Sequence, residues 1–148
     1  MTICSLLPAA TEIAFALGLG DDVVGVTHEC DFPPAARSRP RIVSSRVAVD
    51  ALSSAAIDAR VRETLQTGES LYDLDVETMR NLRPDLILTQ DLCHVCAIDP
   101  GGLLGQLNAL PFRPRMLALH AHTLAELFEE IQLIGDATCR GEIGRAHV

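Results

Sequence analysis

Tryptophan is absent from these 148 residues, and tyrosine occurs once, at Tyr72. With aromatics at 3%, the core has to be built from Leu, Ile, Val and Ala. Few flat rings remain on which single-stranded nucleic acid could stack. A basic excess is missing as well. Twenty acidic residues against twelve Lys plus Arg leave a formal net charge of −8. Without a basic run there is no footprint for DNA, RNA or anionic lipid, and anionic ligands are repelled unless a local patch overrides the field. No apolar run nears the ~20 residues a bilayer crossing needs. No basic n-region or cleavage site is visible, and Cys4 stands too near the start to be a lipoprotein cysteine behind a leader. If Met1 is the true start, the expected location is the cytoplasm. Five cysteines, an odd number, make a poor disulfide framework. No G-x-S-x-G elbow occurs. Gly101-Gly102-Leu103-Leu104-Gly105 lacks the Lys-Ser/Thr of a phosphate loop and is expected to be a turn before a helix.

What is present is a globular composition, 48% hydrophobic and 22% charged, in a length that suits one core. Apolar runs alternate with helical patterns, which predicts βα units around a parallel sheet. Five strands are expected: Ile3 to Leu7, Val23 to Val26, Arg41 to Val43, Asp85 to Thr89 and Arg115 to Leu119. Pro8-Ala9-Ala10 is expected as a turn, with Thr11 capping a helix to Leu17 that Gly18 and Gly20 stop. Ser53 or Ser54 should cap a helix to about Gln66, ended by Gly68, and Asp75 a short one over Val76 to Leu82. A further helix is expected over Leu103 to Leu110. Thr123-Leu124-Ala125-Glu126 is a capping box. It opens a helix with Leu124, Leu127, Phe128, Ile131 and Ile134 on one face, ending near Cys139.

In such a sheet ligands gather at the carboxyl ends of the strands. The turns there hold Thr27, His28, Glu29, Cys30 and Asp31, then Ser44, Ser45 and Arg46, then Gln90, Asp91, Cys93, His94 and Cys96, and lastly His120 and His122. Cys93-His94-Val95-Cys96 with His28 and Cys30 has the donor types of a zinc or iron site. The competing interpretation makes these cysteines small half-buried residues under the rim. Arg46 can meet an anionic group or balance nearby acids. Glu29 and Asp31 can be an acid–base pair or solvated carboxylates. Glu126, Glu129 and Glu130 are expected on a solvated helix face, and His120 and His122 in a plain loop before the cap.

The last residues differ from the rest. Glu142 to Val148 can be written in codons that, from the second base, spell a common short-read sequencing adapter. Residues 141–148 are therefore expected to be non-native, with residues 1–122 one lobe and 123–140 the start of a connecting helix.

Ser5-Leu6-Leu7-Pro8-Ala9-Ala10-Thr11-Glu12-Ile13 and Ala16-Leu17-Gly18-Leu19-Gly20 resemble the opening of the cobalamin and iron-chelate binding proteins of ABC transporters. Leu82-Arg83-Pro84-Asp85-Leu86-Ile87-Leu88 resembles the family's stretch into a later strand. Thr27-His28-Glu29-Cys30-Asp31 and Thr89 to Cys96 resemble its cobalamin-binding subgroup. The resemblance implies two Rossmann-like lobes joined by a long helix, here starting at Thr123, with ligand held between lobes. This chain would be the first lobe, its second lobe missing and an apolar stripe of the helix left uncovered. Pro8, Thr27, His28, Glu29, Ser44, Ser45, Arg46, Gln90, Asp91 and His94 would line one wall. Ala9 stands where the family often has Ser. The implied function is capture without catalysis. The implied ligand is a corrinoid or iron chelate, with His28 or His94 able to ligate cobalt, and the implied partners are a permease and its ATPase at the cell envelope. The alternative is a cytoplasmic metal- or cofactor-binding protein using the His/Cys cluster.

Overall fold

The computed structural model describes residues 1–46, 53–67, 72–90 and 110–146. Its sheet contains β1 (Ile3–Ser5), β2 (Val23–Thr27), β3 (Arg41–Ser45), β4 (Tyr72–Leu74), β5 (Leu86–Gln90) and β6 (Arg115–Leu119), in the order β4-β3-β2-β1-β5-β6. Every pairing is parallel except β3 with β4. The chain therefore lays β1, β2 and β3 outward in one direction, then returns to place β5 on the other side of β1. The α/β expectation holds. The correction is β4, an antiparallel edge strand of three residues that sequence periodicity did not reveal.

The buried strands alternate between two apolar layers, as a pleat with helices on both faces requires. Ile3, Val23, Leu86 and Leu88 join Ala10, Ala14 and Leu17 of α1 (Pro8–Ala16) and Ile134 of α4 (Leu124–Ala137). Cys4, Ile42 and Ile87 point the other way, to Met79 of α3 (Val76–Leu82). α2 (Ser54–Thr67) comes next in the chain after β3, and α5 (Gly141–Ala146) packs on α4.

Local chemistry sets the helix limits. Pro8 is the first residue of α1 and Leu7 its cap, so Pro8-Ala9-Ala10 is helical and not a turn. Proline suits that position because its missing N–H would have no partner there. Thr11, expected as the cap, instead sits one turn inside and donates its hydroxyl to Leu7 O at 3.1 Å. Leu17 closes the helix, and Gly18 follows at φ +73, the left-handed region open to glycine. Asp75 caps α3 through the Thr78 amide at 2.8 Å. Thr123 and Glu126 form the expected reciprocal box on α4. Leu124, placed on the apolar face by its spacing, is 67% exposed, and Leu133 is 41% exposed. The helix expected over Leu103 to Leu110 and the stop at Gly68 fall outside the described residues, apart from a buried Leu110.

Gly25 packs where β2 passes α3. A Cβ there would lie 3.0 Å from Cys4 Sγ, 3.0 Å from Leu82 Cδ1 and 3.1 Å from Ile42 Cγ2. Gly25→Ala is expected to destabilise the fold by about 1–3 kcal/mol through overpacking, read as a lower melting temperature in circular dichroism.

Three surface carboxylates titrate below their ordinary range. The Thr78 hydroxyl and amide hold Asp75 down, the Thr2 amide and hydroxyl hold Asp85 down, and the His122 and Thr123 amides hold Glu126 down. A depressed folded-state value gives stability that is complete above the unfolded value and lost as pH falls through the folded one. The urea midpoint should therefore fall between about pH 5 and pH 2, and Asp85→Asn should make that fall shallower.

Candidate functional site

The site is the rim formed where the parallel strands end. Strand order reverses at β1, and in sheets of this kind the ends of the two strands at the reversal, here β1 at Ser5 and β5 at Gln90, are where ligands bind. The β2 and β3 ends extend the rim on one side, through Thr27 to Cys30 and Ser44 to Arg46. Because β4 runs antiparallel, its first residue, Tyr72, comes to the same rim as the partner of Ser45.

The β2 loop is held closely by backbone groups. The His28 amide donates to Val43 O at 3.1 Å and the Cys30 amide to Thr27 O at 3.3 Å. The Glu29 amide donates to Thr27 Oγ1 at 3.2 Å. Arg41 crosses beneath, its Nη1 donating to Thr27 O and, at 2.8 Å, to Cys30 O. One guanidinium thus neutralises two carbonyls that the turn leaves without strand partners, a charge-assisted arrangement stronger than neutral pairs.

The His28 ring sits on the sheet side of that loop. Its Nδ1 lies 3.2 Å from Val43 O, and a carbonyl only accepts, so Nδ1 carries the hydrogen. Nε2 stands 4.0 Å from Glu29 Oε1, beyond hydrogen-bond range. The Tyr72 ring lies 6.1 Å away between centroids, tilted by 43°.

Other expected site residues divide in two. Pro8 is half-buried at the start of α1, Gln90 half-buried at the end of β5, and Glu29 and Ser44 are exposed. Arg46 is engaged by Asp73 at 2.7 Å, and Ser45 is half-buried beside Tyr72. Cys30 is fully buried, with its sulfur 3.1 Å from Thr11 Oγ1 and 3.2 Å from Thr27 Oγ1. That network ties α1 to the β2 loop. Asp91, Cys93, His94 and Cys96 lie outside the described residues. Among the described residues, no three His, Cys, Asp or Glu side chains gather as a metal cage. Cys4, buried in the other apolar layer, has its thiol pushed up to about 12 by burial.

Glu130 corrects the expectation of a solvated face. It is buried, and its Oε1 accepts the amides of His120 and, at 2.6 Å, Ala121. It fastens the β6–α4 turn at the far end of the rim. Tyr72, Arg41 and Glu130 were the residues missed as parts of the site. The one signal for Tyr72 was its being the sole tyrosine.

A mostly parallel α/β lobe with a polar rim at its reversal point is the form of a small-molecule binding lobe. No protein-family model matches the chain. An uncharacterised ABC transporter substrate-binding lipoprotein, YvrC of Bacillus subtilis, is 41% identical over 135 residues, which is 91% of this chain and 33% of that protein. The vitamin B12-binding protein of Vibrio cholerae is 29% identical over 126 residues, 77% of this chain and 44% of that protein. The crystal structure of the periplasmic vitamin B12 binding protein BtuF of V. cholerae superposes with a TM-score of 0.66 at 26% identity, covering 98% of this chain and 44% of that one. A possible iron-binding periplasmic solute-binding protein of Staphylococcus epidermidis shares the fold, with a TM-score of 0.67 at 22% identity over 98% of this chain and 45% of that one. The chain is thus similar in sequence to ABC transporter substrate-binding and vitamin B12-binding proteins, and in fold to periplasmic solute-binding proteins. It spans a third to just under half the length of these relatives. They are described as binding proteins, lipoprotein or periplasmic. No described helix is long and apolar enough to cross a membrane.

Arg41→Met should loosen the β2 loop without unfolding the sheet. The Glu29 and Cys30 amides are expected to exchange with deuterium faster, while the melting temperature moves by only a few degrees.

Proposed function

We propose that this chain is one wall of a solute-capture protein for an ABC importer, and that its ligand is a cobalamin-type corrinoid. The observation that carries this is the coincidence of two things. The polar rim lies at the reversal point of the sheet, and the sequence around it is homologous to vitamin B12-binding proteins. The role is capture and not catalysis: residues such as Pro8, Ser44, Ser45, Gln90, Asp91 and His94 contact ligand, with buried Thr27 shaping the loop behind them, and no bond in the cargo need change. Delivery requires a permease and its ATPase, with acidic surface residues of the lobe meeting permease arginines. The cell envelope is the place where such a protein works. A metal cage of His28, Cys30, Cys93 and Cys96 is less favoured, because the Cys30 sulfur is already enclosed by two hydroxyls.

Affinity in a large-ligand site comes from broad contact with a few polar anchors. A single wall holds part of that contact, so binding should be saturable but weaker than in a two-walled protein. Equilibrium dialysis of the chain against cyanocobalamin tests the reading. One saturable site, competed by cobinamide, is the expected result. Absence of saturation up to about 1 mM, the weak end of useful recognition, would overturn it.

A further inference from the structure

The turn from β6 into α4 is tied to helix carboxylates along its whole length. Successive main-chain amides of His120, Ala121, His122 and Thr123 all donate to α4. The first two meet Glu130 Oε1, Ala121 at 2.6 Å. The next two meet Glu126 Oε2, at 2.7 and 2.8 Å. Glu126 and Glu130 stand four residues apart, hence on one face of the helix. The two carboxylates do different work. Glu126 closes the capping box with Thr123, a motif local to the helix start. Glu130 lies one turn deeper, is buried, and holds two residues that the box does not touch.

Hydrogen bonds from amides to a carboxylate are charge-assisted and strong. They make residues 120–123 part of the helix and not a free linker. On the other side, Leu119 belongs to the sheet: it is buried and pairs with Gln90 at the end of β5. Between the last residue held by the sheet and the first held by the helix there remains one peptide, Leu119–His120. A planar peptide offers only the torsions on its two sides, so little swing is available there. Ile134, enclosed in the α1 layer, seats the middle of α4, and Glu130 fixes how its start leaves the strand.

We propose that Leu119–His120 is the pivot between the sheet and α4, and that Glu130 is the positioning residue that confines movement to it. Without Glu130 the free connection lengthens to reach His122, and α4 uncouples from the strand ends while its cap stays closed. With Glu130, a displacement at the β5 end of the rim, beside Gln90, is passed to α4. The device is independent of what the rim binds.

Amide NMR of the whole chain in a weakly aligning medium tests this. In the wild type, residual dipolar couplings of residues 120–123 should fit the orientation of α4, and α4 should share one alignment tensor with β1 and β5. Glu130→Met keeps the apolar stem and removes the acceptor. In that variant the His120 and Ala121 amides should exchange roughly 10- to 100-fold faster, as expected on losing a charged acceptor. The His122 and Thr123 amides should be unchanged, and α4 should no longer fit the tensor of the sheet. Glu130→Gln keeps a side-chain oxygen and should restore the common tensor. An aligned α4 in folded Glu130→Met would overturn the proposal, because the packing of Ile134 would then suffice. Wild-type couplings at residues 120–123 that depart from α4 would also overturn it, by placing the pivot inside the turn. Should Glu130→Met fail to fold, those wild-type couplings decide by themselves.

Discussion

The constraint on which the rest depends is the burial of β1 between β2 and β5. All three of its residues are buried, and parallel neighbours flank it on both sides. Parallel neighbours cannot be joined by a hairpin, so each connection must cross a face of the sheet and return. That requirement sends α1 to one face and α3 to the other, and it forces the chain to change direction at β1. The reversal point at Ser5 and Gln90 follows from topology alone. The Thr2–Asp85 pair fixes the register at the opposite end, through the Thr2 amide and hydroxyl on one carboxylate oxygen at 2.8 and 3.1 Å. Slip at that end would displace the rim at the other.

The rim is built mainly from main-chain acceptors and short hydroxyls. Val43 O takes both the amide and the ring of His28, and Thr27 contributes its carbonyl to Arg41 and its hydroxyl to Glu29 and Cys30. Such groups cost little side-chain entropy to order, in contrast to a long flexible side chain. This gives the loop a defined shape in a chain with almost no aromatic ballast. It also accounts for the position of Cys30: a small polarizable thiol fits where two threonine hydroxyls converge, and a larger group would part α1 from β2.

Much of the fold was legible in the sequence, and the failures have physical causes. Asp75 and Thr123 announced their helices because capping is local, requiring one acceptor and one amide three residues on. β6 was placed at Arg115–Leu119 by its apolar run. Thr11 misled because a threonine before an apolar stretch suits a cap, while Pro8 suits the first helical position equally well, and sequence does not rank them. β4 escaped because three residues carry too little periodicity, and its edge pairing depends on β3, far away in sequence. Glu130 escaped for a similar reason: three acidic residues on a helix look solvated until a distant turn presents two amides to one of them.

The same distinction governs the site itself. Residue type nominated Cys30 and Arg46, yet the structure commits them to work within the fold, Cys30 to two hydroxyls and Arg46 to Asp73, just as Glu126 serves its own cap and Glu130 the β6 turn. A polar group that is already satisfied gives up those bonds if it turns to a ligand, and that loss offsets the gain. Groups with unspent capacity, held in place by their other atoms, avoid the penalty. His28 meets both conditions, with Nδ1 anchored on Val43 O and Nε2 without a hydrogen bond among the described residues. Exposed Glu29 and Ser44 and half-buried Gln90 have open ends, but no described bond orients their side chains as Val43 orients His28. Preorganisation, more than chemical type, therefore singles out the β2–β3 corner as the part of the wall able to discriminate among ligands, with the broader rim supplying contact area.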